Sequence, residues 1–220
     1  DNLTKVDLSM LSELEFVHLD HNRLTNLDLS HNTNLSPIGS GFVARNNWLD
    51  TLTLPTSSSL IVESSVYDEQ DPKLGYERTA WYLDSGFTQP APDNLPANGQ
   101  TLYVKWLPND YTIYFSANGG SGSMPSQAAV WNTDLVLPNC SFSRMGYQFS
   151  GWEDTFGDGR VYAAQEKVNN LGGEIQGDRV TLYAQWTPIQ YQIAFDSNTG
   201  SGKMDSITVS YNQSENLPDC

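Results

Sequence analysis

Tyr111-Thr-Ile-Tyr-Phe-Ser-Ala-Asn-Gly-Gly120 decides how the second half of this chain folds. Tyr111, Ile113 and Phe115 alternate with Thr112, Tyr114 and Ser116, the period of a strand with one buried face. Asn118, Gly119 and Gly120 then supply the residue types that accept positive φ at a turn. The stretch recurs at an offset of 80 as Tyr191-Gln-Ile-Ala-Phe-Asp-Ser-Asn-Thr-Gly200, and the match runs without a gap from Tyr111–Cys140 onto Tyr191–Cys220. The same offset carries Thr101-Leu-Tyr-Val-Lys-Trp-Leu-Pro108 onto Thr181-Leu-Tyr-Ala-Gln-Trp-Thr-Pro188. Gly75, Tyr76 and Trp81 echo Gly146, Tyr147 and Trp152 at an offset of 71. The repeats divide the chain into a shortened copy at 60–110, a complete copy at 111–190 and a partial copy at 191–220. Within a copy, Val130 to Leu137 and Thr181 to Trp186 read as further strands. Ala163 to Leu171 reads as a helix, moderately amphipathic and stopped by Gly172 and Gly173. A small sheet with one helix across it is an α+β unit.

Residues 1–59 repeat differently. Leu3, Thr4, Asp7, Leu8, Ser9 and Leu14 fall on identical residues 21 positions later, and Asn22, Leu24, Leu27 and Leu29 match Asn47, Leu49, Leu52 and Leu54 at an offset of 25. The four extra residues lie around Pro37 to Gly41, a widened loop. Leucines at this spacing, closed by asparagines that satisfy backbone groups at the turn, predict a leucine-rich-repeat solenoid. It opens without a polar cap, so the chain is expected to be a fragment of a longer protein. Leu60 to Val66 is expected to be a strand shared between this solenoid and the shortened copy. The whole is then a mixed fold, a β-rich solenoid followed by tandem small α+β repeats.

Composition narrows the function. There are 11 Lys+Arg against 26 Asp+Glu, a net charge of -15, and the acid is spread along the chain rather than gathered in a tail. Such a surface repels phosphate, so nucleic acid is not an expected partner. No apolar run is long enough for a transmembrane segment. The two cysteines, Cys140 and Cys220, have no metal spacing and read as free thiols, and the three histidines lie only in the N-terminal segment. Gly200-Ser-Gly-Lys203 is followed by Met204 instead of Ser or Thr, so it is a turn rather than a phosphate loop. The loop from Asp154 to Asp158 has calcium-like acids but lacks the alternating oxygens of a known calcium loop, and reads as a turn. No metal, cofactor or catalytic residue is expected, and no enzyme activity.

The complete copy resembles the internalin-type B-repeat, or Listeria-Bacteroides repeat, of bacterial surface proteins. The residues that carry the resemblance are Tyr-x-Ile-x-Phe-x-x-Asn-Gly-Gly at 111–120, Leu137-Pro138, Gly-Tyr-x-Phe-x-Gly-Trp at 146–152 and Leu-Tyr-Ala-x-Trp at 182–186. The resemblance implies a β-grasp, ubiquitin-like fold, an extracellular cell-surface or cell-wall setting, and tandem copies behind a leucine-rich-repeat recognition domain.

The expected partner is therefore a protein or glycan on a host or neighbouring cell. Glu15, His18, Asp20 and His21 are expected on the concave face of the solenoid, and Trp48 is free for surface contact; the same side chains also read as an ordinary solvated face. The expected role is non-enzymatic adhesion or protein recognition, with the B-repeats as stalk or secondary contact. Two alternatives are accessory modules of a large secreted enzyme and a purely architectural spacer.

Overall fold

The computed structural model describes residues 2–36, 41–154 and 159–219. The chain divides into two compact units, Asp1–Asn109 and Asp110–Cys220. Among the described residues the structure is almost entirely β, with one single-turn 3-10 segment at Ser64–Val66.

In the first unit β1 (Val17–His18) pairs in parallel with β3 (Phe42–Val43), and β2 (Asn26–Asp28) with β4 (Thr51–Thr53). Both pairings step by 25 residues, the spacing that separates Asn22 from Asn47. The leucines of this stretch fill one core: Leu24, Leu29, Leu49, Leu52 and Leu54 are fully buried. A leucine-rich-repeat solenoid is nevertheless not what forms. The two parallel pairs are only two and three residues long and belong to separate sheets. β4 is continued by the antiparallel strands β8 (Thr101–Pro108) and β6 (Tyr76–Tyr82), giving the order β2-β4-β8-β6. Leu52 lies opposite the buried Leu102, and the Thr53 and Thr101 hydroxyls meet at 3.0 Å. The strand expected at Leu60 to Val66 is instead β5 (Thr56–Glu63), paired with β7 (Asn94–Asn98). The element that joins the coils to the shortened copy is β4.

The second unit holds a five-stranded sheet in the order β10-β9-β15-β12-β13. Its strands are β9 (Asp110–Ser116), β10 (Gln127–Val130), β12 (Tyr147–Asp154), β13 (Val161–Tyr162) and β15 (Asp178–Pro188). β15 runs parallel to β9, with Asp178 opposite Tyr111, and antiparallel to β12. Its inward residues Val180, Leu182 and Ala184 face a core built around Trp152, which the rings of Phe149, Phe115 and Phe142 surround at 4.8, 4.9 and 6.2 Å. The indole of Trp152 donates to the Pro138 carbonyl at 3.2 Å, and that of Trp186 to Ala117 at 2.9 Å.

The expected helix at Ala163–Leu171 is absent, and with it the α+β, β-grasp description. Gln165 and Asn170 take left-handed φ values of 63° and 51°, which no helix tolerates. The backbone pairs across the chain instead: Leu137 donates to the Glu166 carbonyl and Gln165 to that of Leu137. β14 (Lys167–Val168) forms a short ribbon with β11 (Leu135–Val136). Val168 and Leu171 are both buried, so their helix-like spacing reflects a turned ribbon. The strand expected from Val130 to Leu137 is likewise broken, by a turn in which Asn132 is left-handed at 57°.

The partial copy forms the hairpin β16 (Gln190–Ile193) and β17 (Ile207–Ser210). Tyr191 faces Val209 as Tyr111 faces Ala129, so the 80-residue repeat is kept in register as well as in sequence. Cys140 is a free, half-buried thiol, while Cys220 lies outside the described residues.

Candidate functional site

The N-terminal coils are held by side-chain amides. Asn47 donates through Nδ2 to the carbonyls of Leu19, Ala44 and Arg45 at 2.8, 3.0 and 3.2 Å, and its Oδ1 accepts the Leu24 N–H at 3.0 Å. Asn22 does the same one rung earlier, accepting from Leu3 and donating to Leu19 and Asp20. Gln70 completes a third rung, accepting from Leu49 and donating to Ala44 and Tyr67. Both asparagines are buried, and an amide is the group that can satisfy donors and acceptors of a turning backbone at once. Tyr67 anchors the third rung edge-on to Trp81 at 5.1 Å; burial, then the nearby Asp68 and Asp93 carboxylates, push its phenol up to about 12, so it stays neutral.

The ladder fixes what stands beside it. The residue after each amide falls in one column: Arg23, Trp48 and Asp71. The Arg23 guanidinium lies over the Trp48 ring at 5.3 Å, a cation–π arrangement that presents a flat aromatic face and a charge together. Asp71 accepts from Asn46 at 3.1 Å. With Asn2, His21 and Pro72 these groups line an open hollow of about 450 Å³. His21, in the left-handed region at φ 56°, is turned outward, with Nε2 3.7 Å from Asp20 Oδ2.

The structure therefore brings together His21 and Trp48 in one hollow and places Asp20 at its edge through His21. Glu15 and His18 are exposed but line no part of it; the Glu15 carbonyl accepts from Ser36, and His18 sits on β1 opposite Val43. Arg23 and Asp71 escaped the sequence reading. Arg23 was available from the same offset of 25 that aligns Asn22 with Asn47, since it places Arg23 on Trp48. Asp71 was hidden because the third rung uses glutamine at a spacing of 23.

Chemically the hollow offers an aromatic face, a guanidinium, a carboxylate and an imidazole. Such a set is suited to contact with a polar surface; among the described lining residues no nucleophile is placed beside a base. Among the described residues no group of three or more His, Cys, Asp or Glu could hold a metal ion. The acidic turn from Asp154 to Asp158 lies outside the described residues beyond Asp154 itself, whose carboxylate is buried and accepts from the Tyr162 hydroxyl at 3.2 Å. Among the described residues no helix is long and apolar enough to cross a membrane.

The fold of the second unit and its repeated strands make comparison with known proteins informative. Residues 111–185 match the Listeria-Bacteroides repeat domain. The match covers all but the last five residues of the complete copy and supports its B-repeat assignment; leucine-rich repeats form no part of it. Internalin H of Listeria monocytogenes is 32% identical over 118 residues, 52% of this chain and 20% of internalin H. A "putative Gly-rich membrane protein" of Evansella cellulosilytica is 34% identical over 111 residues, 49% of this chain and 12% of that protein. A "putative membrane protein" of the same organism is 27% identical over 142 residues, 61% of this chain and 19% of its own length. The chain spans a fifth or less of each of these relatives.

Proposed function

We propose that this chain is part of a non-enzymatic bacterial surface protein that recognises a protein or glycan on another cell. In this reading residues 1–59, joined by Asp71 of the module at 60–110, provide the contact surface, and the modules at 60–110, 111–190 and 191–220 otherwise act as stalk or secondary contact. The Listeria-Bacteroides repeat and the relatives described as membrane proteins and internalin support the surface setting. The observation that carries recognition is the Arg23–Trp48–Asp71 column beside a rigid amide ladder. Arginine and tryptophan are the side chains that most often anchor interfaces, and a pre-ordered pair loses little entropy on binding. Glu15, His18, Asp20 and His21 extend the contact along the same coils. The net charge of -15 favours a basic or amine-rich partner and speeds its approach.

Glycan arrays and pull-downs of cell-surface proteins, run with wild type, Trp48→Ala and Arg23→Ala, test this. Either substitution is expected to weaken capture by about tenfold or more. Capture unchanged by both would remove the column from the site, and no capture by the wild-type chain would remove the recognition role.

A further inference from the structure

The shortened copy leaves a core donor without an acceptor. The offset of 71 that sets Trp81 on Trp152 also sets Tyr67 on Pro138. In the complete copy the Trp152 indole N–H donates to the Pro138 carbonyl at 3.2 Å. In the shortened copy the Tyr67 carbonyl accepts from Gln70 Nε2 instead, as part of the amide ladder. The Trp81 indole N–H then has no hydrogen-bond partner among the described residues, although Trp81 is only 4% exposed. A buried donor in that condition is rare and costly, and it marks a place where an acceptor is wanted.

Trp81 lines a hollow of about 200 Å³ in the first unit. That is too small for a drug-sized ligand and matches one functional group of a larger one. β6 forms part of its wall: the register with β8 shifts between Arg78 and Trp81, and the bulge brings Thr79 and Ala80 into the lining. The Thr79 hydroxyl is tied to the Lys105 carbonyl at 3.2 Å, and Arg78 Nη1 holds Asp68 Oδ1 at 2.8 Å. Ala91 is fixed by its N–H, which donates to the Trp81 carbonyl at 2.9 Å, and adds a second methyl beside that of Ala80. The Tyr67 ring stands edge-on to Trp81 at 5.1 Å, and its hydroxyl, titrating only at about 12, remains a donor at physiological pH.

An indole N–H donates and cannot accept, so the group that fits beside Trp81 is an acceptor. An anionic acceptor would stand near Asp68 and Asp93, the carboxylates whose charge already acts on the phenol. A neutral carbonyl meets no such repulsion. We propose that this hollow binds the acetamido group of an N-acetylated amino sugar. The carbonyl oxygen takes the Trp81 N–H and the Tyr67 O–H, the methyl lies against Ala80 and Ala91, and the amide N–H is left to the Asp93 carboxylate. The sugar ring stays outside, since the hollow holds little more than the substituent. The site uses none of the residues of the Arg23–Trp48 column, so either can fail without the other. The complete copy does not share it, because Trp152 already has its acceptor in Pro138.

The test titrates the intact chain with methyl N-acetyl-β-glucosaminide, following the assigned Trp81 indole N–H by NMR. Methyl β-glucoside, which lacks the acetamido group, and the peptide amide Nα-acetyl-glutamine-N-methylamide serve as parallel probes. A saturable shift of the Trp81 indole is expected with the N-acetylated sugar, at an affinity at least about tenfold above the plain glucoside. Tyr67→Phe, which removes one hydroxyl, is expected to weaken that binding several-fold, and Ala91→Leu, which fills the hollow, to abolish it; Trp48→Ala leaves it unchanged. Equal binding of the two glycosides, tighter binding of the glutamine amide, a Trp81 indole that no probe moves, binding indifferent to both Tyr67→Phe and Ala91→Leu, or loss of binding in Trp48→Ala would each overturn the proposal.

Discussion

At the scale of single residues, Asn47 is the position on which most of the first unit depends. It is fully buried and makes four hydrogen bonds to backbone groups of two rungs. Asn47→Ala leaves the Leu24 N–H and several carbonyls without partners, so a loss of about 3 kcal/mol is expected in urea unfolding. Asn34, exposed and bonded to the Glu13 carboxylate, gives a control in which Asn34→Ala changes stability by less than about 0.5 kcal/mol. Asp134 provides a pH handle in the second unit. A hydrogen bond from Lys167, then one from Asn169, hold its carboxyl below the ordinary 3.8. A depressed folded value contributes stability that is present above pH 3.8 and lost as the pH falls below it. Thermal melts of wild type and Asp134→Asn are expected to differ at pH 7 and to converge near pH 2, whereas a constant difference would assign the effect to packing. The residues behind the asparagine ladder were legible because one offset aligns them, while Gln70 was not, since a different amide at a different spacing fills the third rung.

At the scale of elements, the alternation of Tyr111, Ile113 and Phe115 and the recurring Thr-Leu-Tyr-x-x-Trp segment became β9, β8 and β15 as their periods required. Pair orientation left no such trace. β15 runs parallel to β9, whereas its counterpart β8 has antiparallel β4 on the corresponding edge, and nothing in the strand sequences distinguishes the two. The helix misreading has a local cause: Val168 and Leu171 are three apart as on a helical face, but left-handed Gln165 and Asn170 fold the segment into a ribbon. The joint between the complete and partial copies is equally local. Ile189 N–H donates to the Gly146 carbonyl, Tyr211 N–H donates to that of Ile189, and the Tyr211 ring stands edge-on to Tyr147 at 5.6 Å. Gly146 has a φ of 76°, and a Cβ there would fall within the Tyr211 ring. Gly146→Val therefore adds backbone strain and displaces the ring. Hydrogen exchange is expected to quicken across β16 and β17 while β9 and β15 keep their protection; uniform loss of protection would mean that the joint supports the whole unit.

At the scale of the whole molecule, the surplus of acid is the property that all modules share. Attraction of a basic partner to such a surface is screened over about 8 Å at physiological ionic strength, so association is expected to slow as salt rises while dissociation changes little. Stopped-flow or biosensor rates at several salt concentrations check this, and a salt-independent association rate would remove charge from the mechanism. The likeness of the complete copy to the Listeria-Bacteroides repeat was legible in its motifs, but the solenoid expected before it was not realised, because β4, parallel to β2 on one edge, is continued on the other by the antiparallel β8. Recognition through the Arg23–Trp48 column is tested most directly by flow cytometry of fluorescently labelled chain on a panel of host and bacterial cells, comparing wild type, Trp48→Ala and Trp131→Ala. Binding that falls about tenfold or more with Trp48→Ala and survives Trp131→Ala is the expected result. Wild-type binding that persists undiminished in Trp48→Ala would contradict it.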